Sequence, residues 1–115
     1  MGETVVIWHN PRCKKSREAL ELLRSRGIEP VVREYLKEPP TEDELAEVLV
    51  RLGRPAGEIV RRKDTTFTEL GLAEADADAL LRAMAANPKL IERPIVLRGG
   101  RAVLGRPPEA VLEVV

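Results

Sequence analysis

An apolar run, a helix stopped by glycine and a second β-branched run fill the first 35 residues, and that order constrains the fold more than anything else in the chain. Val5-Val6-Ile7-Trp8 lacks polar alternation, as a buried strand does. Glu18-Ala19-Leu20-Glu21-Leu22-Leu23 reads as helix to about Arg26, with Ala19, Leu20, Leu22 and Leu23 as its apolar face and Gly27 as its C-cap. Residues 30–35 are strand-like through their β-branched content. Two strands joined by a helix run parallel, with a right-handed crossover.

The middle of the chain is helical. Thr41-Glu42-Asp43-Glu44 is a capping box after Pro39-Pro40, and Leu45, Val48, Leu49 and Leu52 follow at helical spacing up to Gly53. Residues 56–61 predict a shorter helix, 62–68 a loop and 69–72 a helical turn. Residues 76–86 predict a further helix, with Leu80, Leu81 and Met84 inward and Asn87-Pro88 as its stop. Two short apolar runs, Ile95-Val96-Leu97 and Ala102-Val103-Leu104, flank Gly99-Gly100 as an antiparallel hairpin. Pro108 suits the first turn of a last helix over 109–114. The expected fold is α/β and thioredoxin-like, a mixed four-stranded sheet with flanking helices. It forms one domain over 1–115, with residues 41–87 as an inserted helical lobe.

Charge and cysteine content narrow the function. The formal net charge is zero, so no global basic field draws nucleic acid. A single cysteine excludes an internal disulfide and favours a reducing compartment. No apolar run approaches a membrane span, and the N-terminus lacks the pattern of a signal peptide. A cytoplasmic location is expected. One cysteine and one histidine make no zinc site, so no metal is expected.

That cysteine, Cys13, lies in Trp8-His9-Asn10-Pro11-Arg12-Cys13-Lys14-Lys15-Ser16-Arg17, between the first strand and the first helix. Free cysteines are usually buried and inert. Here the loop position, the polar neighbours and the helix start argue for an active thiol. Free N–H groups and the helix dipole favour thiolate there. The same N–H groups, with Arg12, Lys14, Lys15 and Arg17, would welcome an anion. His9 either hydrogen-bonds the thiolate or caps the strand end. The Ser16 hydroxyl either donates to the sulfur or serves the backbone. Lys14-Lys15-Ser16 follows Cys13, which excludes a Cys-x-x-Cys dithiol, and Ala19 stands where a Cys-x5-Arg phosphate loop needs arginine. Oxidised Cys13 can therefore be resolved only by an external thiol.

The run His9-Asn10-Pro11-x-Cys13-x-x-Ser16-Arg17 resembles the signature of the glutaredoxin-dependent arsenate reductase family, which has a thioredoxin-like fold. Pro39-Pro40-Thr41, Glu69-Leu70-Gly71-Leu72, Ile91-x-Arg93-Pro94-Ile95-Val96 and Gly105-Arg106-Pro107-Pro108-Glu109 resemble further family motifs in order. The details look most like a short arsenate-reductase-like subgroup; longer members continue with a C-terminal tail. The resemblance implies that Cys13 attacks arsenate and that Arg61, Arg93 and Arg106 hold the oxyanion. It also implies that Pro94 is a cis-proline facing the thiol, and that His9 and Ser16 depress the thiol pKa. Phe67 stands where the family has tyrosine.

No bound cofactor is implied. The implied partners are arsenate or a related oxyanion and an external reductant of the glutathione or glutaredoxin type. Neither nucleic acid nor membrane is expected, and the expected state is a monomer. Two other functions fit the fold. A related branch binds RNA polymerase as a regulator, but it commonly carries Cys-x-x-Cys and lacks the arginines. A glutathione-linked monothiol transferase would share the activated thiol.

Overall fold

The computed structural model describes residues 4–114. Four strands, β1 (Val5–Trp8), β2 (Val31–Arg33), β3 (Ile95–Arg98) and β4 (Arg101–Leu104), form one sheet in the order β2-β1-β3-β4. β1 runs parallel to β2 and antiparallel to β3, and β3 pairs antiparallel with β4. This is the thioredoxin-like arrangement. The parallel pair requires a crossover, and α1 (Lys14–Ser25) supplies it. Gly27, at φ +78°, closes the helix: its N–H bonds Arg24 O at 3.0 Å while the Ile28 N–H reaches Leu23 O at 3.0 Å. That pair of bonds is the Schellman motif, and the positive φ is why glycine ends the helix.

The chain divides into two units. One runs up to Glu38 and resumes at Arg93; the other is Pro39–Glu92. In the first, Ala19, Leu20 and Leu23 of α1 pack with Val5, Ile7, Val96, Val111 and Val114. Register explains the cluster: Ile7 stands opposite Val96, so both side chains share one face of the sheet. Each fully buried Leu or Ile contributes roughly 1.5–3 kcal/mol here. Residues 108–114 differ from the expected α-helix. They form a 3-10 helix, Pro108–Val114, which still delivers Val111 and Val114 to the core.

The second unit contains α2 (Glu42–Leu52), α3 (Thr65–Glu69) and α4 (Ala77–Ala86). The capping box at Thr41 forms on both sides: Thr41 Oγ1 accepts the Glu44 N–H, and Glu44 Oε1 accepts the Thr41 N–H, each at 3.1 Å. Leu45, Val48, Leu80 and Met84 are buried, while Leu81 is half-buried. Two expectations are corrected. Residues 56–61 are only briefly helical, over Ala56–Glu58, because Val60 forms an antiparallel bridge with Ile91. Arg61 N–H then bonds Leu90 O at 2.6 Å and Glu92 N–H bonds Ile59 O at 2.7 Å. Within the expected loop at 62–68 begins α3, which runs on to Glu69 and which Asp64 caps by accepting the Thr66 N–H at 2.9 Å.

Candidate functional site

Strand register gathers three connections at one end of the sheet. Trp8 pairs with Ile95, and Ile95 with Leu104, so residues 9–13, 93–94 and 105–107 leave the strands together. Cys13 is half-buried and is the N-cap of α1.

Short hydrogen bonds fix its loop. Cys13 N–H donates to Asn10 O and Arg12 N–H to Asn10 Oδ1, both at 3.0 Å. Arg17 Nη1 donates to Pro11 O at 2.9 Å. The Asn10 N–H donates to Ser16 Oγ at 3.0 Å, which ties the loop to the first turn of the helix.

His9 and Ser16 meet as a pair. His9 Nδ1 lies 2.6 Å from Ser16 Oγ, and both residues are buried. Burial lowers the His9 pKa, Glu34 opposes this, and Arg24 and Arg17 add to the lowering, so the ring is neutral near pH 7. The Ser16 hydroxyl is thus engaged by His9 and by the Asn10 N–H.

The sulfur is acted on by other groups. Burial pushes the Cys13 thiol up, but the Ser16 N–H, the Arg93 guanidinium and the Lys15 N–H together outweigh it and hold the pKa below the ordinary thiol value. Arg93 acts both by charge and by hydrogen bond. No side-chain hydrogen bond of cap geometry closes on the sulfur. A neutral thiol is a weak acceptor, and these N–H dipoles count chiefly when it ionises. The first turn of α1 holds Lys14 and Lys15 and no acid, so nothing there cancels the dipole's pull on an anion.

Arg93 reaches the sulfur from the connection before β3, with Nε and Nη1 buried. The Arg93–Pro94 and Arg106–Pro107 peptide bonds are both cis. Gly105 N–H bonds Pro94 O at 2.8 Å. A Cβ on Gly105 would stand 2.6 Å from Pro94 Cγ, so only glycine lets the two connections lie this close. Arg106 follows Gly105 and is exposed. Arg61 belongs to the Pro39–Glu92 unit, where Asp64 and Glu92 flank it.

Within its unit, then, the fold brings Cys13, His9, Ser16, Arg93 and Pro94 together around one loop. Sequence reasoning missed Arg93 as a group acting on the sulfur, since nothing local links residues 13 and 93. It also missed Arg17 as the tie to Pro11 and Asp64 as a helix cap. The Asp64-Thr65-Thr66-Phe67 run carries the cap signal that would have found α3.

The ArsC family pattern covers residues 8–114. The chain belongs to the ArsC family. It is 49% identical over 118 residues to the uncharacterised YfgD of Escherichia coli, covering 100% of this chain and 99% of that protein. It is 49% identical over 110 residues to an arsenate reductase of Neisseria meningitidis, covering 93% and 94%. An arsenate reductase from Vibrio cholerae has the same fold, with a TM-score of 0.95, 47% identity and 100% of each chain covered. Among the described residues, no helix is long and apolar enough to cross a membrane, and no three His, Cys, Asp or Glu side chains cluster as metal ligands do.

Proposed function

We propose that this ArsC-family chain is a thiol-dependent arsenate reductase with Cys13 as nucleophile. One observation carries the reading: the single thiol sits at a helix N-terminus against the Arg93 guanidinium, and its pKa is lowered. The thiolate attacks arsenic and an arsenate oxygen departs as water, leaving a sulfur–arsenic bond. An external thiolate then attacks the Cys13 sulfur. A disulfide forms, the sulfur–arsenic bond breaks, and its electron pair stays on arsenic as arsenite. A second thiol exchanges with the mixed disulfide and restores Cys13. The sum is arsenate plus two thiols giving arsenite, one disulfide and water.

Arg61, Arg93 and Arg106 hold the oxyanion in this scheme. Guanidinium forks bind such oxygens in pairs, and fixed donors stabilise the charge that builds on them during attack. His9 and Ser16 support the thiolate by holding the loop that presents it, and Pro94 fixes Arg93 beside the sulfur. The external reductant is a glutathione- or glutaredoxin-type thiol, and the protein works as a cytoplasmic monomer. Arsenite formation with glutathione and glutaredoxin tests the proposal. Wild type turns over and folded Cys13→Ser does not; equal rates for the two would end the thiol mechanism.

A further inference from the structure

Arg61 is held through its N–H and guanidinium at four points inside the Pro39–Glu92 unit. Its N–H donates to Leu90 O at 2.6 Å and its Nη1 to Lys89 O at 3.2 Å. The same Nη1 lies 3.6 Å from Asp64 Oδ2, and Nε lies 3.7 Å from Glu92 Oε1. The three side chains are 28%, 15% and 21% exposed, so solvent screens them only in part.

Each carboxylate is itself placed. Asp64 spends Oδ1 on the Thr66 N–H that starts α3, which aims Oδ2 at Arg61. The Thr66 N–H, against some burial and with help from Lys89 and Arg61, keeps the Asp64 carboxyl below its ordinary range. Glu92 is set by its N–H bond to Ile59 O and by the Val60–Ile91 bridge. Arg62 contrasts with this. It is exposed and lies 5.3 Å over the Phe67 ring.

Two carboxylates beside an arginine weaken its field, which electrostatics alone disfavours at an anion site. What they add is orientation, because a guanidinium bound on its Nε and Nη1 edges has lost most of its rotational freedom. We propose that Asp64 and Glu92 are positioning residues that set the Arg61 fork for the oxyanion; this rests on the oxyanion-binding role proposed for Arg61.

Charge and geometry predict opposite signs, which makes the proposal testable. Asp64→Asn and Glu92→Gln keep size but remove charge, and asparagine still caps α3. If the carboxylates position Arg61, each variant raises KM for arsenate about two- to fivefold, the scale of a partly exposed ion pair. Thermal stability stays near wild type. In an Arg61→Gln background, neither substitution changes KM further. A fall in KM overturns the proposal, since only the field then mattered. An equal rise without Arg61 overturns it too. If Arg61→Gln alone leaves KM unchanged, the oxyanion role of Arg61 fails first and the positioning role with it.

Discussion

Replacing Gly105 by alanine tests how the hairpin is coupled to the thiol. The new methyl would stand 2.6 Å from Pro94 Cγ and 2.9 Å from Val111 Cγ1. Carbon atoms settle at about 3.5–4.0 Å, so both neighbours must yield by roughly an ångström. Neither yields easily. Pro94 is a ring anchored through its carbonyl to the Gly105 N–H, and Val111 is β-branched and fully buried. Gly105 is not among the glycines at positive φ, so the backbone itself tolerates alanine. Alanine even stabilises by about 0.4–1 kcal/mol through the unfolded chain, but overpacking costs about 1–3 kcal/mol and wins.

A net loss near 1–2 kcal/mol lowers Tm by about 3–12 °C for a domain of this size. The second effect is chemical. Displacing Pro94 carries Arg93 away from the sulfur, so the Cys13 pKa rises toward that of a free thiol. Thermal unfolding followed by circular dichroism reads the first effect, and thiolate ultraviolet absorbance against pH reads the second. Unchanged Tm and thiol pKa would refute the steric argument. A lower Tm with an unchanged thiol would refute the coupling through Pro94.

Three further outcomes are expected. Arg93→Met raises the Cys13 pKa, seen as slower alkylation by iodoacetamide at neutral pH, because the guanidinium's charge and hydrogen bond both favour the thiolate. Thr41→Ala costs about 1 kcal/mol in thermal unfolding by removing the α2 capping box, and Thr41→Ser recovers most of it. Cys13→Ser supplies a cap oxygen and is the more stable protein by about 0.5–2 kcal/mol at mildly acidic pH. That advantage shrinks as pH rises, since a thiol with lowered folded-state pKa adds stability that is complete only above its unfolded value of about 8.5 and is lost as pH falls through the folded one. Denaturant titrations of both proteins across pH follow the narrowing difference.

The fold was legible because its signals are local. The run Val5-Val6-Ile7-Trp8, the Gly27 stop, the Thr41 box and the Gly99-Gly100 turn each act within a few residues. Misreadings occurred where long-range pairing overrides propensity. After Glu58 the β-branched Ile59 and Val60 can end a short helix or enter a strand, and the bridge from Val60 to Ile91 decides it. Residues 109–114 are short and close against β4 and α1, where a tighter 3-10 winding delivers Val111 and Val114 to the core. At the site, the placement of Cys13 followed from the strand-loop-helix pattern. The partnership with Arg93 spans 80 residues and depends on the β1–β3 register, which no local pattern encodes.

The helix caps show what the thiol displaces. Thr41, Asp64 and Asp76 each place an oxygen on a main-chain N–H at the start of α2, α3 and α4. Of the four α-helices among the described residues, only α1 starts without a side-chain cap bond, and it alone carries lysines and no acid in its first turn. An oxygen at position 13 would stabilise the helix by about 1 kcal/mol, but it would occupy the Ser16 and Lys15 N–H groups. Those are the groups that favour ionised sulfur. The missing cap and the acidic thiol are therefore one physical fact seen from two sides. The chain tolerates it because α1 is held from elsewhere, by Ala19, Leu20 and Leu23 in the core and by the Gly27 closure at its far end.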